Sequence, residues 1–301
     1  MNIIFRIFRR LKYDYSRSKD WIIRKFYAPP FVLNSFETIK YIQKNKCSIT
    51  RFGDGELNLI DKYDLGFQTY NKILAIKLKE VLVSNNAKIL VCIPNVFEKL
   101  EYHAEQNNFW RHHLYYTRSK WYKTINRKQI YGDAFISRFY TMRYDWEYSS
   151  IIYSELKKIW ENHNLVIVEG EYSRLGVGND CFSNASSIKR IIAPAKNAFN
   201  KYDEIITIAK TLPQNTIFIL ALGPTASIMA FDLSCQGYQA LDLGHIDLEY
   251  EWYKKKTTEK TPIIGKFCNE TFILGKQDRE VFGELPQTEI DKYNSQIIYK
   301  C

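Results

Sequence analysis

The sequence predicts an α/β domain built on a Rossmann-like, doubly wound, mostly parallel sheet, with a short basic leader in front of it. Three observations carry this. Apolar runs of strand length occur at 88–93 (KILVCI), 165–168 (LVIV) and 216–222 (TIFILAL), the form taken by strands buried on both faces. Strand, glycine turn and helix recur with short connections, which is how parallel strands with right-handed crossovers are written. Residues suited to chemistry fall just past the strand ends, where ligands bind in such sheets. A chain of 301 residues, 46% of them hydrophobic, can bury one good core, so the expected organisation is a leader at 1–30 and one domain at 31–301.

The elements follow in order. Residues 1–25 hold Arg6, Arg9, Arg10, Lys12, Arg17, Lys19, Arg24 and Lys25 against Asp14 and Asp20, which is six of the chain's ten excess positive charges. Ile3, Ile4, Phe5, Ile7, Phe8 and Leu11 interleave with the arginines, a pattern suited to an amphipathic helix touching an anionic membrane surface. Ala28-Pro29-Pro30 reads as a linker. Helices are expected at 36–43 and 73–83, with a strand at 48–52 between them and another at 88–93. The aromatic and basic stretch 102–148 has no clear period and reads as mixed helix and irregular chain. Further on come a helix at 154–162, strands at 165–168 and 189–192, a helix at 203–211, a strand at 216–222, a helix at 225–235 closed by Gly237, and a strand at 238–243. Six cysteines without C-x-x-C spacing, mostly inside apolar runs, fit buried thiols in a reducing cytoplasm. No apolar run is long enough to span a bilayer. No helix-turn-helix, zinc or RNP-like pattern accompanies the positive charge, so nucleic acid is not an expected partner.

Four stretches carry possible chemistry. RFGDGE at 51–56 sets Asp54 and Glu56 two residues apart, with Gly53 and Gly55 letting a bulky anion approach the backbone and Arg51 just before them. Hard divalent cations prefer oxygen ligands, and Mg²⁺ is usually held by one or two carboxylates plus substrate phosphates, so this pair suits a metal and a nucleoside diphosphate. An ordinary Asp-Gly turn has the same spacing. After the LVIV strand, Arg174, Gly176, Gly178 and Asn179 form a loop whose amides and guanidinium suit phosphate oxygens. Gly223-Pro224-Thr225 starts a helix after a buried strand and either serves the same anion or simply caps the helix. If 243–252 is extended, His245, Asp247, Glu249 and Glu251 share one face and line a cleft, as a further metal ligand, a sugar-hydroxyl partner or the base for an acceptor hydroxyl.

RFGDGE, VIVEGEYSRLGVGNDCF with NASSIKRII, and ILALGPTASIMAFDL followed by GYQALDLGHIDLEYEW, in this order, resemble the bacterial glycosyltransferases of the GT-D type. That family was first recognised as a domain of unknown function in enzymes that elaborate surface adhesins and polysaccharides. The resemblance covers about Phe31 to the C terminus. It implies a Rossmann-like fold, a UDP-sugar donor, and Mn²⁺ or Mg²⁺ bound with the help of Asp54 and Glu56. It also implies that the 174–180 loop and the 245–251 segment face the donor. The expected activity is transfer of a sugar, such as a hexose, to a lipid-linked or protein-linked glycan acceptor. The expected place is the cytoplasm or the inner face of the plasma membrane, reached through residues 1–25. A metal-dependent phosphohydrolase and a catalytically silent nucleotide-sugar-binding subunit would use the same residues, and sugar-dependent UDP release separates them.

Overall fold

The computed structural model describes the backbone of residues 3–268, 270–271 and 281–301, and side chains from residue 5 on. The strands are β1 (Phe31–Val32), β2 (Ser48–Arg51), β3 (Ile89–Ile93), β4 (Ile130–Asp133), β5 (Asn164–Gly170), β6 (Ser187–Ala193), β7 (Ile217–Ala221), β8 (Gln239–Asp242) and β9 (Ile297–Lys300). They form one sheet in the order β1-β4-β3-β2-β8-β7-β5-β6-β9, and every pairing among the described residues is parallel. The helices are α1 (Ile3–Phe26), α2 (Ser35–Asn45), α3 (Asp54–Ile60), α4 (Lys72–Leu82), α5 (Ala104–Thr124), α6 (Trp146–Lys157), α7 (Tyr202–Ala209), α8 (Pro224–Cys235), α9 (Ile246–Lys255) and α10 (Gln287–Gln296).

The side-chain period of two along each strand divides the core between the faces of the sheet. Ile89, Val91 and Ile93 of β3 join Val166 and Val168 of β5 and Phe218 and Leu220 of β7 on one face, beneath α4, α5, α7 and α8. Leu90, Cys92, Leu165, Ile167, Ile217 and Ile219 point to the other, beneath α2, α6 and α9. The sheet is therefore doubly wound, as the continuous apolar runs required.

Local signals fix the helix starts. Asn34 and Glu37 form a reciprocal capping box at α2, each side chain accepting the other's backbone N–H at 2.9 Å. Asn71 caps α4 by accepting the amides of Ile73 and Leu74. Pro224 opens α8 at the position where its missing N–H costs nothing.

The sequence reading does not mark β1, α3, β4, α10 or β9, and three of its own assignments differ from the structure. Residues 104–124 form one long helix, α5, because Trp110, Leu114, Arg118 and Trp121 recur at helical spacing on its buried side. Tyr115, Tyr116 and Tyr122 interleave with them and mask the stripe. The helix expected at 154–162 lies earlier, at 146–157, because Asp145 caps it by accepting the Tyr148 amide. The segment 243–252 is not extended: after β8 the chain turns at Gly244, which has φ +49°, and enters α9. A strand would have put four ionisable groups on one face, whereas the helix splits them into two pairs on opposite sides, Asp247 with Glu251 and the N-cap His245 with Glu249.

The chain runs from β2 outward to β3 and β4, then returns through β5, β6 and β7 to lay β8 against the free side of β2. The connections after β2 and β8 leave toward opposite faces: α4 joins one core and α9 the other. Such a reversal leaves a crevice at the strands' carboxyl ends, between β2 and β8. The six cysteines are free thiols, and among the described residues no helix is long and apolar enough to cross a membrane.

Candidate active site

A cavity of about 610 Å³ opens at that crevice, lined from the carboxyl ends of seven strands. Arg51 to Glu56 come from the end of β2, and Asp242, Gly244, His245, Asp247 and Leu248 from the end of β8. Gly170, Tyr172 and Ser173 come from the β5 end and Ala221 to Gly223 from the β7 end. Glu105, Gln106, Phe109 and Trp110 of α5 make a wall.

The floor is acidic. Asp54 and Glu56 occupy the first turn of α3, and because Gly53 has no side chain to cap that helix, the Glu56 carboxylate reaches back to accept the Gly53 N–H at 2.7 Å. Burial pushes the Glu56 carboxyl up to about 7, against the lowering effect of the backbone amides, and the charges of Asp242 and Asp54 push it further the same way. Asp242 ends β8 and is itself raised by burial, with Arg51 opposing. Arg51 clasps it: Nε donates to the Asp242 carbonyl at 2.7 Å and Nη2 lies 3.1 Å from Oδ1. Any side chain at residue 244 would strike that guanidinium, since a Cβ there would sit 2.3 Å from Nη2, so Gly244 is required by both space and its positive φ.

The opposite side is basic. Arg138, Lys260 and His245 converge on the Glu270 carboxylate, with Arg138 Nη1 donating at 2.8 Å, Lys260 Nζ donating to Oε2, and His245 Nδ1 3.1 Å from Oε1. Burial works to raise the Glu270 carboxyl, yet Arg138 and His245 outweigh it and hold it far below the usual carboxylate range. Three cationic or protonatable groups around one carboxylate leave a positive surplus facing the acidic floor. Phe67, Tyr172, Phe267, Phe109 and Trp110 add flat apolar surface to the cavity lining.

The region that matches a family model runs over residues 49–271, and the model describes the glycosyltransferase GT-D fold. Every cavity-lining residue from Arg51 to Glu270 falls inside it. The chain belongs to the GT-D glycosyltransferase family. Two solved GT-D structures superpose on it closely. One, described as the highly conserved domain of unknown function 1792 with a distinct glycosyltransferase fold, is 38% identical at a TM-score of 0.84, covering 93% of this chain and 99% of that one. The other, a glycosyltransferase from Streptococcus sanguinis, is 34% identical at a TM-score of 0.80, covering 90% and 99%. In sequence, the chain is 39% identical over 241 residues to the probable glycosyl transferase Gly of Streptococcus gordonii, covering 79% of this chain and 35% of that protein. It is 34% identical over 264 residues to the glycosyltransferase GlyD of Streptococcus pneumoniae serotype 4, covering 87% and 31%. The chain thus spans about a third of the length of these two curated relatives.

Within the GT-D fold the sequence-named residues separate into two groups. Arg51, Gly53, Asp54, Gly55, Glu56, Gly223, His245 and Asp247 line the cavity. Arg174, Gly176, Gly178, Asn179, Thr225, Glu249 and Glu251 do not. The amides expected to cradle phosphate are already taken: Gly176 N–H donates to Asp247 Oδ1 at 2.9 Å and Gly178 N–H to Glu289 Oε2 at 3.2 Å. Asn179 Nδ2 bridges Asp247 and Glu251 at 2.7 Å each, and Lys266 Nζ closes the cluster 2.5 Å from Asp247 Oδ2. Arg174 turns away from the cavity to donate to the Gly265 carbonyl at 2.9 Å. Glu249 is wholly buried and accepts the amides of Tyr140 and Thr141 and the Thr141 hydroxyl. Thr225 is fully buried, and its hydroxyl has no partner among the described residues.

Asp242, Arg138, Lys260 and Glu270 were not found from sequence. Asp242 could have been, since it ends a strand two residues before a glycine turn, much as Arg51 ends β2 two residues before Gly53. Arg138, Lys260 and Glu270 lie in stretches without periodicity, and only the fold brings them together.

Proposed function

We propose that this chain transfers a sugar from a UDP-sugar to a hydroxyl of a lipid-linked or protein-linked glycan acceptor, in bacterial surface polysaccharide or glycoprotein synthesis. The observation that carries the reading is the cavity itself, whose lining combines the Asp54 and Glu56 carboxylates, Arg138, Lys260 and His245, and the aromatic side chains. A diphosphate fits the basic side, and a uracil or sugar ring fits the aromatic walls.

Asp54 and Glu56 suit Mn²⁺ or Mg²⁺. They are hard oxygen donors at the crevice, the kind of ligand that such a cation prefers. Among the described residues no third His, Cys, Asp or Glu completes a cage, so the donor set matches a cation that shares its ligands with substrate phosphate and water. When bound there, such an ion supplies neutralising charge to the departing diphosphate.

The chain's own groups do the rest. Arg138 and Lys260 donate hydrogen bonds to the diphosphate oxygens as the bond from the anomeric carbon to the β-phosphate oxygen breaks. His245 takes the acceptor proton at Nε2 while the acceptor oxygen bonds to the anomeric carbon. With Nδ1 donating to Glu270, Nε2 is left as the acceptor nitrogen, and Glu270 steadies the imidazolium that forms. Asp247 is less suited to this role, because Gly176, Asn179 and Lys266 already occupy its oxygens.

The test is UDP release from a panel of UDP-sugars with Mn²⁺, with and without lipid-linked or peptide-linked glycan acceptors. Acceptor-stimulated UDP release, lost on chelation, is expected, and His245→Gln should lower it by about 10²–10⁴-fold. Release of inorganic phosphate, or UDP binding without turnover under every condition, would replace this reading with a hydrolase or a silent binding subunit.

A further inference from the structure

Helix α1 has two unlike faces. Tyr13, Ser16 and Asp20 pack on α5: the Tyr13 ring stacks on His112 and meets Tyr115 edge-on, and Asp20 Oδ1 accepts the Arg118 Nε–H at 2.6 Å in a buried pair. At 3.6 residues per turn, Trp21, Ile7, Leu11, Ile22, Tyr15, Phe8 and Phe26 fall on one face roughly 160° round the helix from that side, a face that Asp14, Ser18 and Lys25 share. These seven apolar side chains are 48% to 70% exposed, along the full length of the helix. Arg10 and Arg17 border that face on the Trp21 side, with Arg6 and Arg24 beyond them, and Lys12 and Lys19 border it on the Phe8 side; all are exposed, and none is in a salt bridge among the described residues.

We propose that α1 docks the protein on an anionic lipid bilayer, lying in the headgroup layer with that apolar stripe turned into the acyl boundary. Charge decides the occupant. An apolar stripe bordered by cations along both edges matches an interface that is apolar below and negative above. A second copy of the chain would bring the same cationic borders against each other, because a two-fold contact pairs a surface with itself. The docking does not depend on the transfer reaction. One consequence does rest on that reading: α5 carries α1 on one side and the cavity wall of Glu105, Phe109 and Trp110 on another, so docking would hold the site beside an acceptor displayed on the membrane.

The experiment is co-sedimentation of the full chain with vesicles of phosphatidylglycerol in phosphatidylcholine, and with phosphatidylcholine alone. Binding to the anionic vesicles only, weakened by salt, is expected. Phe8→Asp with Leu11→Asp, and separately Arg10→Glu with Arg17→Glu, should each lower the bound fraction at least about tenfold. These side chains face solvent, so both variants should keep the parent's melting temperature and its UDP release with a soluble acceptor; intact turnover with lost vesicle binding separates this inference from the transfer reading. Equal binding to neutral vesicles, no binding, or unchanged binding by either variant would overturn it. So would a dimer in sedimentation equilibrium that the Phe8/Leu11 variant abolishes, with no vesicle binding, since that assigns the stripe to a second copy.

Discussion

After β2 the chain turns its acidic residues into the cavity, while after β5 it turns its glycine amides onto its own carboxylates. Both stretches leave a buried strand at its carboxyl end, and both combine glycines, an arginine and acidic groups. The difference lies in how soon a helix follows. Gly53 leads directly into α3, so Glu56 needs only one local bond and the carboxylate pair is left at the crevice. Residues 171–186 must cross from β5 to β6 without a helix, so the loop is held by anchors along its length. Glu169 accepts the Leu175 amide at 2.7 Å, and Arg190 pairs with Glu169 at 2.5 Å while donating to the Leu175 carbonyl at 2.9 Å. A loop whose amides are spent on internal bonds shapes the wall of a site; a strand end that keeps its carboxylates at the crevice supplies its chemistry.

The sharpest break of that comparison is at the anchor. Arg190→Met leaves the Glu169 carboxyl without its ion-pair partner in a fully buried place, and should cost about 3–5 kcal/mol of stability, read as a lower midpoint in urea. A loss under about 1 kcal/mol would mean the loop is held by something else.

The converse holds at the β2 end. Asp54→Asn and Glu56→Gln should each lower acceptor-dependent UDP release by about 10²–10³-fold while the melting temperature holds or rises. Unchanged turnover by both variants would remove the carboxylate pair from the mechanism.

The same site predicts a pH signature. Folded Glu56 keeps its proton up to about pH 7, whereas in the unfolded chain it ionises near 4.5. The folded state therefore holds an extra proton between those values, and its stability falls as pH rises through that window. Glu56→Gln lacks this term, so it should exceed the parent by roughly 1–3 kcal/mol at pH 8, with the gap closing at pH 4.5. Thermal melts at pH 4.5, 6 and 8 measure it, and a parent curve parallel to the variant's would show that Glu56 titrates normally.

How much of this was legible follows from the range of each signal. The parallel sheet could be read because burial on both faces writes itself as a continuous apolar run. The β2 end could be read because its glycines and carboxylates act within a few residues of each other. The strand reading of 243–252 failed because polar and apolar residues alternate there, yet Gly244 turns the chain into a helix that buries Glu249 on the far side from Asn179. The Arg138, Lys260 and Glu270 cluster was out of reach, since its members meet only after the sheet has closed and no spacing records the meeting.

Arg174 tests the comparison most finely, because it is the one side chain of the β5 loop whose chemistry suits phosphate. Its guanidinium donates to the Gly265 carbonyl and lies 6.0 Å from the Tyr293 ring, which makes it a strut between the loop and the C-terminal segment. Arg174→Ala should then lower stability by about 1 kcal/mol, the worth of one such bond, and leave the donor KM unchanged. A grip on the donor diphosphate would instead raise KM at least tenfold with stability untouched, because a charge-assisted bond to substrate is lost rather than one within the fold. Measuring KM and the urea midpoint on the same preparation separates the two, and a raised KM would place both strand ends in the donor site.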